Sequence, residues 1–267
     1  MARHLLAHGA RVRALVREPS SAAGQALAQR GVDVVAGDFG NMPSIAAAMA
    51  GVQGVFSVQP LLLGKAPREI EWGRRVADAA AAAGVGHLVY ASVLGAGLAP
   101  DVPHFASKAV IEQHLRSTGL CFTILQPAAF MENLLRPIVR KGIAKGKLTT
   151  PHSLDAPQQL IAIDDIGAVA AHVMLAPTAW AGRTIPLVGD VASTRQMAAT
   201  LSRVLNREIK PGRLPGIIVR LFLGRDLHRM FRWHDASGGE LPHDQEALRD
   251  LHPGLKTFEQ WCRQNFQ

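Results

Sequence analysis

RVRALVREPSSAAGQALAQRGVDVVAGDF, residues Arg11–Phe39, carries three patterns in series. Arg11–Arg17 alternates basic and apolar residues, the period of two expected of a strand. Ser20–Arg30 is helical in its spacing, and Val32–Ala36 is a short apolar strand ending in Gly37-Asp38-Phe39. Strands alternating with helices indicate βαβ units and a parallel sheet.

The alternation extends in both directions. Met1–Gly9 (MARHLLAHG) has a helical stripe of Ala2, Leu5 and Leu6, closed by Gly9. Beyond Phe39, helices are expected at Pro43–Ala50, Arg68–Ala83 and Phe105–Ser117, with strands at Gly54–Val58, His87–Ser92 and Leu120–Gln126. After Pro127 the regularity loosens. Leu160–Ile163 and Arg183–Val188 read as strands, and Asp165–Leu175, Thr194–Leu205, Ile217–Leu223 and Thr257–Asn265 as helices. The fold class is α/β: a parallel sheet over residues 1–150, continuous with a smaller C-terminal α/β lobe over 151–267. Ile217–Leu223 reads either as an interface or as plain core.

Composition limits the function classes. The chain has 267 residues, 48% of them hydrophobic and 19% charged, a globular profile and not a disordered one. The net charge of +8 keeps an anionic partner open. Residues 1–150 hold 16 Lys+Arg against 9 Asp+Glu, whereas residues 151–267 hold 13 against 12. The excess therefore sits on the alternating half. Cys121 and Cys262 are too few for a disulfide scaffold and suit a reducing cytosol, so a cytoplasmic location is expected. No uncharged apolar run reaches the ~20 residues of a membrane span, so no membrane partner is expected. Four arginines and no acid precede Glu18, which also fits a targeting peptide, but a helix followed by a strand is the simpler reading. His152, His172, His228, His234, His243 and His252 lack metal-ligand spacing, and no metal is expected. Basic runs at Arg136–Lys147 and Arg207–Arg232 lack aromatic interleaving; they read as solvated faces, and nucleic acid is not an expected partner.

An ordered series of short stretches resembles the NmrA-like family, atypical members of the short-chain dehydrogenase/reductase superfamily. The series is VRALVREP (Val12–Pro19), AGDF (Ala36–Phe39), GVQGVFSVQP (Gly51–Pro60), ADAAAAAGVGHLVYASV (Ala77–Val93), PHFASKAVIEQHLRSTGL (Pro103–Leu120), FTILQPAAFMENLL (Phe122–Leu135), IAIDDIGAVAAHVM (Ile161–Met174) and LHPGLKTFEQWCRQNF (Leu251–Phe266). The resemblance implies a Rossmann-type NAD(P) domain with a small substrate lobe, serving either a reductase or a redox-sensing regulator that binds cofactor without clear catalysis. The family pattern opens with a strand and a glycine-rich turn leading into a helix like Met1–Gly9. Neither has a counterpart before Met1. The expectation is either a start that lies upstream or a truncated product with impaired cofactor binding, and in both cases two open strand edges in this chain.

The resemblance also implies site residues. Arg17 ends its strand where a Rossmann fold meets the adenosine ribose, and an arginine there favours the 2′-phosphate of NADP over NAD; the plain alternative is a solvated strand end. Asp38 and Phe39 would lie beside the adenine, with Asp38 equally suited to a turn cap. Ser57, Gln59 and Pro60 end the next strand at the ligand edge of the sheet and would run along the ribose and pyrophosphate. His104-Phe105-Ala106-Ser107-Lys108 copies the superfamily Tyr-x-x-x-Lys spacing with histidine in place of tyrosine. Lys108 would hold the nicotinamide ribose, and His104 is either a proton donor or a pocket lining. The one tyrosine, Tyr90, is on a strand. Ser92 lies near the position of the superfamily's catalytic serine. Pro127 begins a loop expected to close over the nicotinamide, with Phe130 and Asn133 as substrate contacts. Asp164-Asp165 reads as a helix cap. The reading is an NADPH-dependent reductase of a small quinone-like or carbonyl acceptor; the alternative is an NADP-sensing regulator with a protein partner.

Overall fold

The computed structural model describes residues 1–238 and 241–266. Its first elements follow the expected alternation: α1 (Ala2–Ala7), β1 (Arg13–Val16), α2 (Ala22–Ala28), β2 (Asp33–Ala36), α3 (Met42–Met49), β3 (Gly54–Ser57), α4 (Ala66–Ala82), β4 (His87–Ala91), α5 (Pro103–Ser117) and β5 (Phe122–Pro127). The later elements are β6 (Ala129–Phe130), α6 (Pro137–Ala144), β7 (Lys147–Thr150), β8 (Gln158–Ile161), α7 (Ile163–Leu175), α8 (Pro177–Trp180), β9 (Thr184–Leu187), β10 (Asp190–Ala192), α9 (Thr194–Leu205), β11 (Lys210–Arg213), α10 (Gly216–Phe222), α11 (Gly224–Ala236), α12 (Gln245–Leu251) and α13 (Phe258–Asn265). The chain forms two interleaved compact units: Met1–Ser92, Ser107–Leu125 and Gly167–Ile185 make the first, and Val93–Ala106, Gln126–Ile166 and Pro186–Gln267 the second.

In the first unit β1 pairs parallel with β2, from Arg13 opposite Asp33 to Val16 opposite Ala36. A separate four-stranded sheet runs in the order β3-β4-β5-β9, with β3, β4 and β5 parallel. Among the described residues β1 pairs only with β2, and β3 only with β4. His87–Ala91 is buried along its whole length, as a strand covered on both faces must be. Ile45, Met49, Val76, Ala80, Leu88, Tyr90, Ile111, Leu115 and Ile124 form the core of this unit. Helix α3 starts where the Asn41 side chain accepts from Ser44 N, with proline in the first turn.

Helices α4 and α5 approach closely at Gly73. A Cβ there would lie 2.5 Å from Ile111 Cδ1 and 2.7 Å from its Cγ1, so only glycine admits this contact. One helical turn earlier on each helix stand Glu69 and Ser107, which the approach brings together.

The second unit has its own core of Met131, Leu134, Ile143, Leu148, Leu160, Met197, Leu201, Phe258 and Trp261. Helices α9 and α13 begin with reciprocal capping boxes, Ser193 with Gln196 and Thr257 with Gln260. The expected cap role of Asp164-Asp165 is not what forms. Both residues lie inside the first turn of α7. Asp165 is fully buried and accepts from Lys256 Nζ at 2.7 Å and Lys256 N at 3.0 Å. It ties the C-terminal segment to α7. Burial is the largest effect and opposes the charge on Lys256, but the bond and charge of Asp165 together with those of Asp164 outweigh it and raise the lysine's pKa.

Helix α10 is not core: of its residues only Val219 is buried.

Candidate functional site

The residues expected at the adenosine end of a dinucleotide gather at the carboxyl ends of β1 and β2. A cavity of about 390 Å³ is lined by Arg17, Ala36, Gly37, Asp38, Asn41 and Ser44. A Cβ at Gly37 would lie 2.3 Å from Leu15 Cδ1 and 3.0 Å from Ser44 Oγ, so a larger residue there requires the Leu15 side chain to move. Asp38 uses its carboxylate for the turn, accepting from Gly40 N at 2.7 Å, and its own N–H donates to Ser44 Oγ at 3.1 Å. The exposed cation among these polar groups is Arg17. Arg13, on the same strand, is consumed by structure: it donates to Asp33 at 2.7 Å and to the carbonyls of Ala48 and Ala50. Phe39 stacks obliquely on Trp72, with centroids 5.6 Å apart, and its carbonyl accepts from Arg75.

At the carboxyl end of β3, Gln59 Nε2 donates to Ser57 Oγ at 2.9 Å, and both residues are buried. Gln59 Oε1 is also buried and has no hydrogen-bond partner among the described residues. A buried acceptor without a donor is costly unless a ligand supplies one. Pro60 is exposed beside it.

Lys108 is held by an acid that the sequence reading did not single out. Its ammonium donates to Glu69 Oε1 at 2.5 Å, while Ser107 Oγ donates to Glu69 Oε2 at 2.8 Å. Glu69 is fully buried, and the Lys108 side chain is 12% exposed. An ammonium has three donors, so two remain for a ligand. Ser92 donates its one hydroxyl proton to Glu112 at 2.5 Å, which commits that proton to the protein. Tyr90 feels the charge of both acids. Burial, then the charges of Glu69 and Glu112, push its pKa well above 10, and its hydroxyl has no partner among the described residues. Both acids carried a signal. Glu69 shares a helical stripe with buried Gly73, Val76 and Ala80, and Glu112 with buried Leu115. A carboxylate at a core position of an apolar stripe asks for a partner.

The remaining expected residues lie in the second unit. Pro127 ends β5, Phe130 is exposed on the two-residue strand β6, and Asn133 is in a 3₁₀ turn over Met131–Leu135. Glu132 pins that turn by accepting from Ile163 N and Trp261 Nε1, each at 3.1 Å. His104 is buried in the first turn of α5. Its ring meets Phe105 edge-on at 5.0 Å, and Phe105 in turn meets Trp233 and His234. His234 lies 5.9 Å from His152 by ring centroid. Burial, with His152 and His104 adding repulsion, lowers the His234 pKa to about 4. Burial also lowers His152, against the opposing pull of Asp235 at 3.5 Å. This aromatic-histidine cluster was not legible in the sequence: its members come from three distant segments.

The split parallel sheet, with polar groups and glycines at its carboxyl edge, is the architecture of a Rossmann-type dinucleotide-binding protein. The chain belongs to the NmrA-like family, whose profile matches residues 1–262. It is 32% identical over 209 residues to the NAD(P)H azoreductase of Xenophilus azovorans, a match covering 74% of this chain and 66% of that protein. A (4-alkanoyl-5-oxo-2,5-dihydrofuran-3-yl)methyl phosphate reductase of Streptomyces griseus is 35% identical over 208 residues, covering 77% of this chain and 69% of that protein. The azoreductase match thus spans just under two thirds of that relative's length. Among solved structures, the NADPH complex of an Escherichia coli NADPH-dependent quinone oxidoreductase superposes with a TM-score of 0.83 at 25% identity, over 99% of this chain and 94% of that one. The triphenylmethane reductase of a Citrobacter species shares the fold, with a TM-score of 0.84 at 20% identity over 98% and 93% of the two chains.

Proposed function

We propose that this chain is an NAD(P)H-dependent reductase of a small quinone-like or carbonyl acceptor, with NADPH preferred over NADH. The observation that carries the reading is the cavity at the ends of β1 and β2, where Arg17 stands exposed among the polar groups of Asp38, Asn41 and Ser44. A guanidinium there suits a 2′-phosphate, which it can bind with two parallel hydrogen bonds. The buried Gln59 Oε1, donorless among the described residues, is a second feature suited to a ligand.

In this reading the cofactor supplies the hydride. Arg17 takes the 2′-phosphate, Asp38 and Phe39 line the adenine, and Ser57, Gln59 and Pro60 follow the ribose and pyrophosphate. Lys108 donates to the nicotinamide ribose with the protons that Glu69 leaves free. Ser92, fixed by Glu112, shapes the same strand end. Pro127, Phe130 and Asn133 form the substrate side. His104, or water, delivers the proton that balances hydride transfer to the acceptor. The relatives named as azoreductase and quinone oxidoreductase support this reaction class.

One observation favours the regulatory alternative: the helix position of the superfamily's acid holds His104, and Tyr90 is buried within a strand. Two measurements separate the readings. Calorimetric titration with NADPH and NADH is expected to show a preference of about tenfold or more for NADPH, falling to parity in Arg17→Ala. Turnover is then followed as NADPH oxidation against a panel of quinones. Binding without turnover on any acceptor assigns the chain to the regulators, and binding of neither cofactor overturns both readings in favour of the impaired cofactor binding also expected from the sequence.

A further inference from the structure

Among the described residues no helix is long and apolar enough to cross a membrane. The second unit nevertheless carries an apolar surface that is open to solvent among the described residues. On α10, Ile217 is 62% exposed, Leu221 72% and Phe222 81%, with Ile218 also open to solvent. Val219 alone is buried and anchors the helix. Helix α10 packs against α11 as a hairpin: Gly224, at φ +89°, makes the turn, and Gly216 lies beside His228. Phe222 therefore projects at the tip of the hairpin.

The charge around this tip is mostly basic, with Asp226 an acid in the first turn of α11. Arg220 precedes Phe222 in the last turn of α10, and Arg225 follows it in the first turn of α11. Arg225, Arg229 and Arg232 recur at spacings of four and three, one stripe along α11, and all are exposed. Between Arg213 and Arg232 the chain has one acid, Asp226. Solvated basic faces are common, and exposed single leucines are common too. A set of four large apolar side chains running along α10 to the hairpin tip, flanked by arginines, is neither.

We infer that the α10–α11 hairpin docks on an anionic lipid surface, seating Ile217, Leu221 and Phe222 at the headgroup boundary while the arginines meet the lipid phosphates. Interfacial helices bind by this pairing of apolar area with basic charge. A second copy of the chain fits less well, because apposing two such faces sets arginines against arginines. Nucleic acid would satisfy the arginines and leave Phe222 and Leu221 without a role. The inference stands apart from the reductase reading, since it requires no cofactor and no turnover.

Flotation of the full chain with lipid vesicles tests it. Vesicles of phosphatidylcholine mixed with phosphatidylglycerol are expected to carry about tenfold more protein than phosphatidylcholine alone, and added salt is expected to release it. The exposed positions allow substitution without loss of fold, which circular dichroism checks. Leu221→Ser with Phe222→Ser, and separately Arg225→Glu with Arg229→Glu, are each expected to cut flotation about tenfold. Absence of flotation on the mixed vesicles overturns the inference, and so does flotation indifferent to both variants. A dimer on gel filtration that disappears in Phe222→Ser, without flotation, reassigns the face to a second copy. Duplex DNA binding that survives Leu221→Ser with Phe222→Ser, without flotation, reassigns it to nucleic acid.

Discussion

Lys108 Nζ and Glu69 Oε1 meet at 2.5 Å, with the glutamate wholly out of solvent. The pair joins α4 to α5 at the position expected to hold a nicotinamide ribose. Removing one partner of a buried pair leaves the other charge uncompensated, which costs about 3–5 kcal/mol. Lys108→Met should therefore lower stability by about that amount, and Lys108→Met with Glu69→Leu should recover most of it. Urea denaturation of the two variants checks this. A single-variant loss below about 1 kcal/mol would mean the pair is solvated in the protein as it exists.

The contact that makes this pair possible is Gly73 against Ile111. Gly73→Ala gains about 1 kcal/mol in helix propensity, yet it drives a Cβ into three atoms of a branched side chain at 2.5, 2.7 and 2.9 Å. Overpacking of this kind costs about 1–3 kcal/mol, so a net loss is expected in the wild-type background. In an Ile111→Ala background the clash is gone, and the same substitution should become neutral or stabilising. Thermal melts of the four proteins decide it; an unchanged sign refutes the close approach.

Acid should destabilise the second unit through its histidines. The folded-state pKa of His234, about 4, lies below the ordinary value of 6.5. Between those values the unfolded chain binds the proton and the folded chain does not. Stability is then complete above pH 6.5 and falls as pH drops toward 4, by an amount on the order of 3 kcal/mol. His152 is shifted in the same direction and adds to the slope. His234→Phe should flatten the dependence of stability on pH over this window. An identical slope in the variant would locate the acid sensitivity elsewhere.

The two cysteines should differ sharply toward a thiol reagent. Cys262 is fully buried, and burial with the nearby Glu259 charge raises its pKa to about 12, whereas Cys121 is half-buried. A thiol held protonated is a poor nucleophile. One equivalent of Ellman's reagent should react with the native protein, and the second only on unfolding. Two thiols reacting at similar rates would contradict the burial of Cys262.

The first half of the fold was legible because each element declared its own period. Thr194–Leu205 was read with its final boundaries, and β1 to β5 to within two residues at either end. The later half was less so, for physical reasons. Strands β6, β7, β10 and β11, at two to four residues, are about as short as β1 to β3, but no regular alternation with helices flanks them, and they exist through pairing with distant segments. In the sequence, α11 shows only as a basic run, though its apolar residues Met230 and Trp233 pack on Phe105 and its neighbours. The expected site residues fall into local groupings whose internal bonds were not legible: Lys108 gave no sign of choosing Glu69, nor Ser92 of choosing Glu112. Those choices come from helix approach, which a linear spacing does not contain.

Tyr90 has a last consequence. It is the one phenol of the chain, sealed in a strand and under the charge of two carboxylates. Four tryptophans dominate the near-ultraviolet, but none of them ionises in base. The phenolate absorbance that appears on alkaline titration therefore has a single origin, and it should rise only when the sheet opens. One residue makes this protein its own optical unfolding gauge.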